Sequence, residues 1–514
     1  MKIAIGYPPF DDIKGTPLLS QNRQYQVFHH PTYIYPVVPA TAATLLKKAG
    51  RQVVWLDGIA EGWSYQKWLA EVKKAKPDVV VMETKTPVIK RHWKIIDELK
   101  SLTTNHQPPI TALVGDHVTA LPEESFKNSQ VDYVLTGGDY DFLLLNLVKH
   151  LDKGEKLEPG IWYRNVSNLK LQASSIFNTG KFQLNHDLNK LPFIDRDLTK
   201  WQLYAYENGN YKRTPGTYIM AGRDCWWRRN GGCKFCAWTV LYPTYRMRKP
   251  ENVLDEIGEL IKKYKVKEIM DDTGTFPAGE WLREFCRGMI KRGYNKKVYF
   301  QGKKRQKGVY FDCNLRFGVL TKNDYKLMAK AGFRFLLYGL ESANQETVDK
   351  LNKGIKIAKI EEELKIAKNA NKEVGGHLEP HVTCMVGYPW ETKKQAEKTI
   401  TMTKDLFAKG LIDTLQATIV IPYPGTALFK ECQKNGWLKT KDWDKYDMSQ
   451  PVMKTPMEDG EVLALTQGIY RSFMTPRFIL RKIISIRNTD DLKFLWRAGK
   501  AVLGHLTDFS GWRK

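Results

Sequence analysis

Hydrophobic and polar positions alternate in two long series, joined by a stretch without a clear period. From Met1 to about Leu151, short apolar runs (KIAIGY, QVVWLD, DVVVMET, ITALVGD and DYVLTGG) are separated by amphipathic segments near Thr41 to Ala49, Tyr65 to Lys74 and Val88 to Leu102. Strands parted by single helices of this length predict an α/β domain with a parallel, doubly wound, Rossmann-like sheet. Ligands of such sheets bind at the carboxyl ends of the strands. Those ends carry Asp57 and Gly58, Thr84 to Thr86, Gly115 to His117, and Thr136 to Asp139, residues small or polar enough for a large ligand to come close. The three-glycine dinucleotide fingerprint is missing, because Gly6 is followed by Tyr-Pro-Pro.

Residues 152–216 read as a connector with hairpin-like pieces (GIWYRNVSNLKLQ) and a turn-rich LPFIDRDLTKW. A second series starts at Thr217: TYIMAG, KEIMDD, VYFDCN, RFLLYGL, HVTCMVG and TLQATIVIP, each followed by a helical segment. Val253, Ile257, Leu260 and Ile261 share one helical face, as an outer helix of a barrel requires. Six strand-helix units predict a partial (β/α)6 barrel over 217–438, with its chemistry at the carboxyl ends of the strands. Past Lys439 the alternation stops and helices dominate, giving a helical region over 439–514.

The chain has 514 residues, of which 42% are hydrophobic and 27% charged, and its mean hydropathy is negative. This is the balance of a globular protein with a sizeable core. No apolar run is long enough to cross a bilayer, and the start turns acidic before a signal-peptide core develops, which predicts a cytoplasmic protein. Lys and Arg exceed Asp and Glu by 81 to 56, a net charge of +25 that favours an anionic partner. Ten Lys or Arg against three acids lie between Arg471 and Lys514. In PRFILRKIISIR cations interleave with Phe478, Ile479, Leu480, Ile483, Ile484 and Ile486. Such a helix suits either an anionic membrane surface, making the protein peripheral there, or docking with its apolar side on the barrel.

Of seven cysteines, Cys225, Cys233 and Cys236 crowd into GRDCWWRRNGGCKFCAW, directly after the first barrel strand. A structural zinc site takes four ligands, and no histidine lies between His186 and His377. A four-iron cluster has four corners, so three thiolates leave one iron open to a ligand that is not protein, the mark of a reactive site.

With these motifs in their context, the chain resembles the cobalamin-binding radical S-adenosylmethionine (SAM) enzymes over nearly its whole length. The supporting stretches occur in order: YRMRKPENVLDEI, KEIMDDTGTF, CNLRFGVL, YGLESANQETVDKLNKG, VGYPWET and IPYPGTALF. The spacing of the cysteines, seven residues then two, departs from the commoner three then two. The resemblance implies a [4Fe-4S] cluster on Cys225, Cys233 and Cys236, where bound SAM is reductively cleaved to methionine and a 5'-deoxyadenosyl radical. It implies that Phe235 lies beside the adenine, that Glu341 and Ser342 meet the cosubstrate's amino or ribose groups, and that Arg316 pairs with its carboxylate. Asp271 and Asp272 would face the pocket, while Gly387, Pro389 and Glu391 would form the fifth-strand turn against adenine.

The same resemblance makes residues 1–151 a cobalamin module, contacted through Thr84, Thr86, Gly115, Asp116, His117, Gly137, Gly138 and Asp139. Asp116-His117-Val118-Thr119 does not reproduce the Asp-x-His-x-x-Gly signature, so His117 is expected as a loop contact and not a cobalt ligand. A domain that kept the fold and lost the cofactor is the alternative. Transfer-RNA methylthiotransferases need three further N-terminal cysteines, and residues 1–224 have none; nor is there an aromatic-basic strand motif for RNA. The expected activity is methylation, by way of methylcobalamin, of an unactivated carbon in a small or lipid-linked, anionic substrate, with an electron donor such as flavodoxin or ferredoxin. Radical cyclisation or rearrangement is the alternative chemistry, and a non-catalytic cobalamin or zinc protein the alternative of another class.

Overall fold

The protein is described from a computed structural model, which covers all residues except 14, 20–24, 26, 29–31, 103–106, 165–175, 296, 301–302, 307, 473–475, 485, 487–488 and 509–514. Its first half is built on a seven-stranded sheet. The strands are β1 (Lys2–Tyr7), β2 (Gln52–Asp57), β3 (Val79–Glu83), β4 (Ile110–Val114), β5 (Tyr133–Leu135), β6 (Ile161–Arg164) and β7 (Ile176–Asn178), in the order β2-β1-β3-β4-β5-β6-β7. β1 to β5 are parallel, with Ala4 opposite Val54, Ile5 opposite Val81, and Val81 opposite Ala112. Every residue of β3, Val-Val-Val-Met-Glu, is buried, as expected of a central strand covered by helices on both faces. This order reverses direction between β1 and β3, and the crevice at such a switch point is where ligands of these sheets settle.

Ser64 begins the helix Tyr65–Ala75 by accepting from the Lys67 N–H, and the helices Val37–Lys48 and Tyr140–Lys153 pack side by side. The stretch read as a connector adds β6 and β7, both antiparallel, to the edge of this sheet. The LKLQ limb of the expected hairpin lies outside the described residues.

The second half is an open barrel of six parallel strands in sequential order: β8 (Gly216–Ile219), β9 (Glu268–Asp271), β10 (Tyr310–Leu315), β11 (Phe333–Glu341), β12 (Glu379–Val386) and β13 (Thr414–Ile419). Helices at Pro250–Lys262, Glu280–Lys291, Lys322–Ala331, Ile360–Glu373 and Lys393–Ala408 lie between successive strands. Thr321 and Thr392 each close a reciprocal capping box at a helix start. Phe276, Phe285, Phe311 and Phe333 meet edge to face between strands and helices, with Phe311 and Phe333 centroids 4.9 Å apart. Where the strands begin, Arg334 is buried among Glu268, Asp312 and Glu379 at 2.6, 3.2 and 2.7 Å and plugs that end.

Beyond the barrel the chain departs from the expected run of helices. Residues 439–458, with four Lys, three Asp and two Pro, stay mostly irregular and reach back to the first half: Trp443 Nε1 donates to Glu124 and Lys90 Nζ to Asp442. Helices follow at Asp459–Ser472, Pro476–Ile484 and Thr489–Asp508. No described helix is long and apolar enough to cross a membrane.

Candidate functional site

The cysteine loop sits at the carboxyl end of β8 and is held by its neighbours through backbone contacts. Lys234 N–H donates to Leu351 O, Leu428 N–H to Lys234 O, and Trp227 Nε1 to Asn352 O at 2.6 Å. Asn352 Nδ2 answers with bonds to Asn230 O and Gly232 O. Cys225 Sγ lies 3.0 Å from Thr275 Oγ1. All three thiols are reduced and part-exposed. Among the described residues no group of three or more His, Cys, Asp or Glu could hold a single metal ion.

Around the loop the other expected residues converge. Arg316, at the end of β10, lays its guanidinium 3.8 Å from the Trp227 ring centroid, and burial lowers its basicity. Gly354 permits this stack: its φ is +64°, and a Cβ there would stand 2.2 Å from Trp227 and 3.0 Å from Arg316 Nη2. Glu341 ends β11 at a register shift, with a φ of +65°, and meets the buried Lys353 at 2.7 Å. Burial works against the Lys353 charge, but the Glu341 carboxylate outweighs it and raises the ammonium above its ordinary value. Lys353 stands 5.8 Å from the Phe235 ring, which packs with Tyr388 and Met385.

In the fifth-strand turn Gly387 N–H donates to Glu391 at 2.9 Å, and burial pushes that carboxyl up to about 7. Pro389 is buried beside it. Ser342 is turned inward, bonded to Asn344 and close to Thr399, away from open space. Asp271 accepts from Ala221 N–H and Thr273 N–H and thereby pins the turns after β8 and β9; burial raises it to about 6 against those bonds. Asp272 is buried next to it.

Among the described residues, five buried polar atoms near the cysteine loop have no partner: Arg316 Nη2, Glu391 Oε1, Tyr388 OH, Tyr245 OH and Trp226 Nε1. Buried donors and acceptors left in this way are costly, and a polar ligand at the barrel mouth would satisfy them. SAM, with its carboxylate, amine, ribose hydroxyls and adenine, has that chemistry.

At the carboxyl edge of the first sheet the structure gathers Thr84, Thr86, Gly115, Asp116 and His117. Asp116 pairs with the buried Lys85 at 3.0 Å. His117 contacts Thr86 through Nδ1 and Glu124 through Nε2, which leaves neither ring nitrogen free for a metal. Tyr7 donates to Glu83 across the β1–β3 switch point, and burial raises Glu83 to about 7, opposed by Lys85 and by the Tyr7 hydrogen bond. Thr84 Oγ1 is buried there with no partner among the described residues, and the buried Tyr140 hydroxyl stands beside Glu83. The amide-fringed rim of a corrin, rich in donors and acceptors, fits them.

Gly137 N–H donates to Thr119 Oγ1 within the first domain, while Gly138 and Asp139 are also held from the barrel side. Gly138 N–H donates to Leu241 O, and a Cβ on Gly138 would fall 2.0 Å from the Tyr242 ring. Asp139 bonds Arg223 and Arg246, each at 2.7 Å.

Sequence reasoning passed over Asn352, Lys353, Thr275, Tyr388 and Arg223. KLNKG was visible as a motif, but only burial shows that its Asn holds the cysteine loop and its Lys holds Glu341.

Residues 222–403, the stretch that carries the three cysteines, match the Radical SAM superfamily. The chain is 25% identical over 437 residues to an uncharacterised methyltransferase of Pyrococcus horikoshii, covering 83% of this chain and 85% of that one. It is 27% identical over 465 residues to the anaerobic magnesium-protoporphyrin IX monomethyl ester cyclase of Cereibacter sphaeroides, covering 87% and 70%. In fold it is similar to TsrM from Kitasatospora setae, a radical SAM methyltransferase solved with cobalamin and a [4Fe-4S] cluster. That likeness has a TM-score of 0.64 at 13% identity, over 98% of this chain and 99% of that one.

Proposed function

We propose that this radical SAM protein is a cobalamin-dependent methyltransferase acting on an unactivated carbon of a small or lipid-linked, anionic substrate. Residues 1–151 would serve as the cobalamin module, 152–216 as the connector, 217–438 as the radical barrel and 439–514 as the basic helical region. When bound, the cluster with SAM supplies a hydrogen-abstracting radical, and methylcobalamin supplies the methyl group.

The chain's own part is to hold, orient and keep dry. Cys225, Cys233 and Cys236 hold the cluster, with Thr275 donating to or accepting from Cys225. Arg316, the Glu341–Lys353 pair and the Gly387–Glu391 turn line the SAM site beside Phe235. Tyr7, Glu83, Thr84, Thr86 and Gly115 to His117 line the cobalamin site. The observation that carries this reading is the bonding of Asp139 and Asp141, at the start of the helix after β5, to Arg223, two residues before Cys225. The two sites thereby share a wall, which is what passing a methyl group between cofactors requires.

The second reading, radical cyclisation without methyl transfer, is favoured by the likeness to a cyclase. An external donor such as flavodoxin or ferredoxin would reduce the cluster, and the basic C-terminal helices would give peripheral contact with a membrane.

Anaerobic reconstitution tests the proposal. It should give about four irons per chain, and dithionite with SAM should release 5'-deoxyadenosine. Methylated cobalamin should be retained on gel filtration. Cys233→Ala should abolish release while leaving cobalamin bound; a colourless zinc protein that releases nothing would overturn the proposal.

A further inference from the structure

At the end of the barrel where the strands begin, the helix Thr489–Asp508 lies with Asp491 and Phe494 turned inward. Asp491 reaches Lys212 at 3.5 Å, and Phe494 packs under Arg334. The outward side presents Leu492, Lys493, Trp496 and Lys500, with the Lys500 ammonium 5.1 Å from the Trp496 ring centroid. The preceding helix, Pro476–Ile484, has its described aliphatic side chains turned outward too: Ile479, Leu480, Ile483 and Ile484 are 43, 57, 57 and 71% exposed, and Leu492 and Trp496 59 and 68%. The docking expected for this helix is thus not made by these four residues. Large aliphatic and aromatic side chains exposed together on two successive helices mark an interaction site.

Beside the patch lies a cavity of about 360 Å³ lined by Lys493, Trp496, Arg497 and Lys500 from the helix and by Tyr206 and Glu207 from the loop before β8. It holds three cations against one carboxylate. Arg497 is fixed in it by donating through Nη2 to Tyr211 O, and its Nε is buried without a partner.

We infer that this face is an anchoring surface for an anionic lipid bilayer, with Lys493, Arg497 and Lys500 around the cavity receiving a lipid phosphate headgroup. Three features of the face agree on this occupant. The branched aliphatics would enter the acyl boundary, Trp496 and Lys500 are residue types that favour the headgroup level, and the +7 of residues 471–514 complements an anionic leaflet. The face lies opposite the cysteine loop, so it holds the enzyme at the bilayer and leaves the barrel mouth uncovered. The inference is independent of the barrel's chemistry.

Full-length protein should co-sediment with vesicles of phosphatidylcholine mixed with phosphatidylglycerol, much less with phosphatidylcholine alone, and high salt should release it. Ile483→Glu with Ile484→Glu, and separately Lys493→Gln with Lys500→Gln, should each weaken binding at least about tenfold, since each surface cation contributes roughly fivefold. Both pairs are exposed, so thermal unfolding should stay as in the wild type. Inorganic phosphate should not displace the vesicles. Equal binding to both vesicle types, no binding, displacement by phosphate, or a dimer in light scattering that both variants dissociate would each overturn the inference.

Discussion

Arg223 and Asp141 are joined across the two halves of the molecule: the guanidinium of a residue two positions before Cys225 lies 2.9 Å from the carboxylate of a residue in the first turn after β5. The same guanidinium takes Asp139 at 2.7 Å, and all three side chains are buried. Burial works against the Arg223 charge, but the two carboxylates outweigh it and hold the guanidinium above its ordinary basicity. The strand that feeds the cysteine loop is therefore tied to the first domain by a forked, charge-assisted contact.

Removing that cation leaves two buried carboxylates without their main partner. Arg223→Leu should cost about 3–5 kcal/mol, seen as a lower denaturant midpoint. Arg223→Lys should lie between the variant and the wild type, since an ammonium cannot bond both carboxylates in the same plane. A midpoint unchanged in Arg223→Leu would show that the contact does not hold the halves together.

The Glu341–Lys353 pair gives a prediction confined to the barrel mouth. Lys353→Met removes the cation from a carboxylate on a backbone already in the left-handed region, and should free Glu341 to turn away. Release of 5'-deoxyadenosine should fall by a factor of about ten or more, the loss expected for a misplaced binding group, with iron content unchanged. A parallel loss of iron would mean instead that Lys353 supports the cysteine loop.

Gly354 offers the converse test, on the loop itself. Gly354→Ala places a methyl where Trp227 and Arg316 already pack, at a φ that disfavours side chains. Because Trp227 belongs to the cysteine loop, iron incorporation should drop below half of the wild-type value on the order of a 1–3 kcal/mol strain. Full incorporation would show that the stack can shift without disturbing the thiols.

Much of this was legible in the chain, and for identifiable reasons. The period-2 and period-3.6 patterns are local, so the strands and helices of both series could be read within a few residues; the helix expected near Tyr65 to Lys74 runs over Tyr65–Ala75. Cys225, Cys233 and Cys236 announced themselves by crowding. The partners that hold them did not, because Asn352, Lys353 and Thr275 come near the cysteines only through the curl of the sheet. Asp139 shows the limit from the other side. Its place at a strand's carboxyl end suggested a ligand contact, and only the packed halves reveal Arg223 and Arg246 already bonded to it. The irregular 439–458 segment was missed because its few apolar residues, among them Trp443, serve a distant surface and carry no period.

His186 yields a prediction in pH. Burial would lower its pKa, but the Asp139 carboxylate 3.4 Å from Nδ1 and the Glu158 carboxylate bonded to Nε2 prevail and push it up to about 9. A group whose pKa is higher in the folded chain than in the unfolded one contributes stability at low pH and loses it on the way up. The His186 contribution is therefore complete below about pH 6.5, the unfolded value, and is lost as pH rises through about 9. Replacing it by Gln keeps the ring's approximate volume and one donor but not the charge. Thermal unfolding of wild type and His186→Gln should differ most near pH 6, with the wild type the more stable, and should converge above pH 9. Asp139 stays paired with Arg223 and Arg246 at both ends of this range, so the convergence isolates the imidazolium. A difference that persists at high pH would assign His186 a packing role against Phe142, its stacked neighbour at 4.0 Å, in place of the charged one.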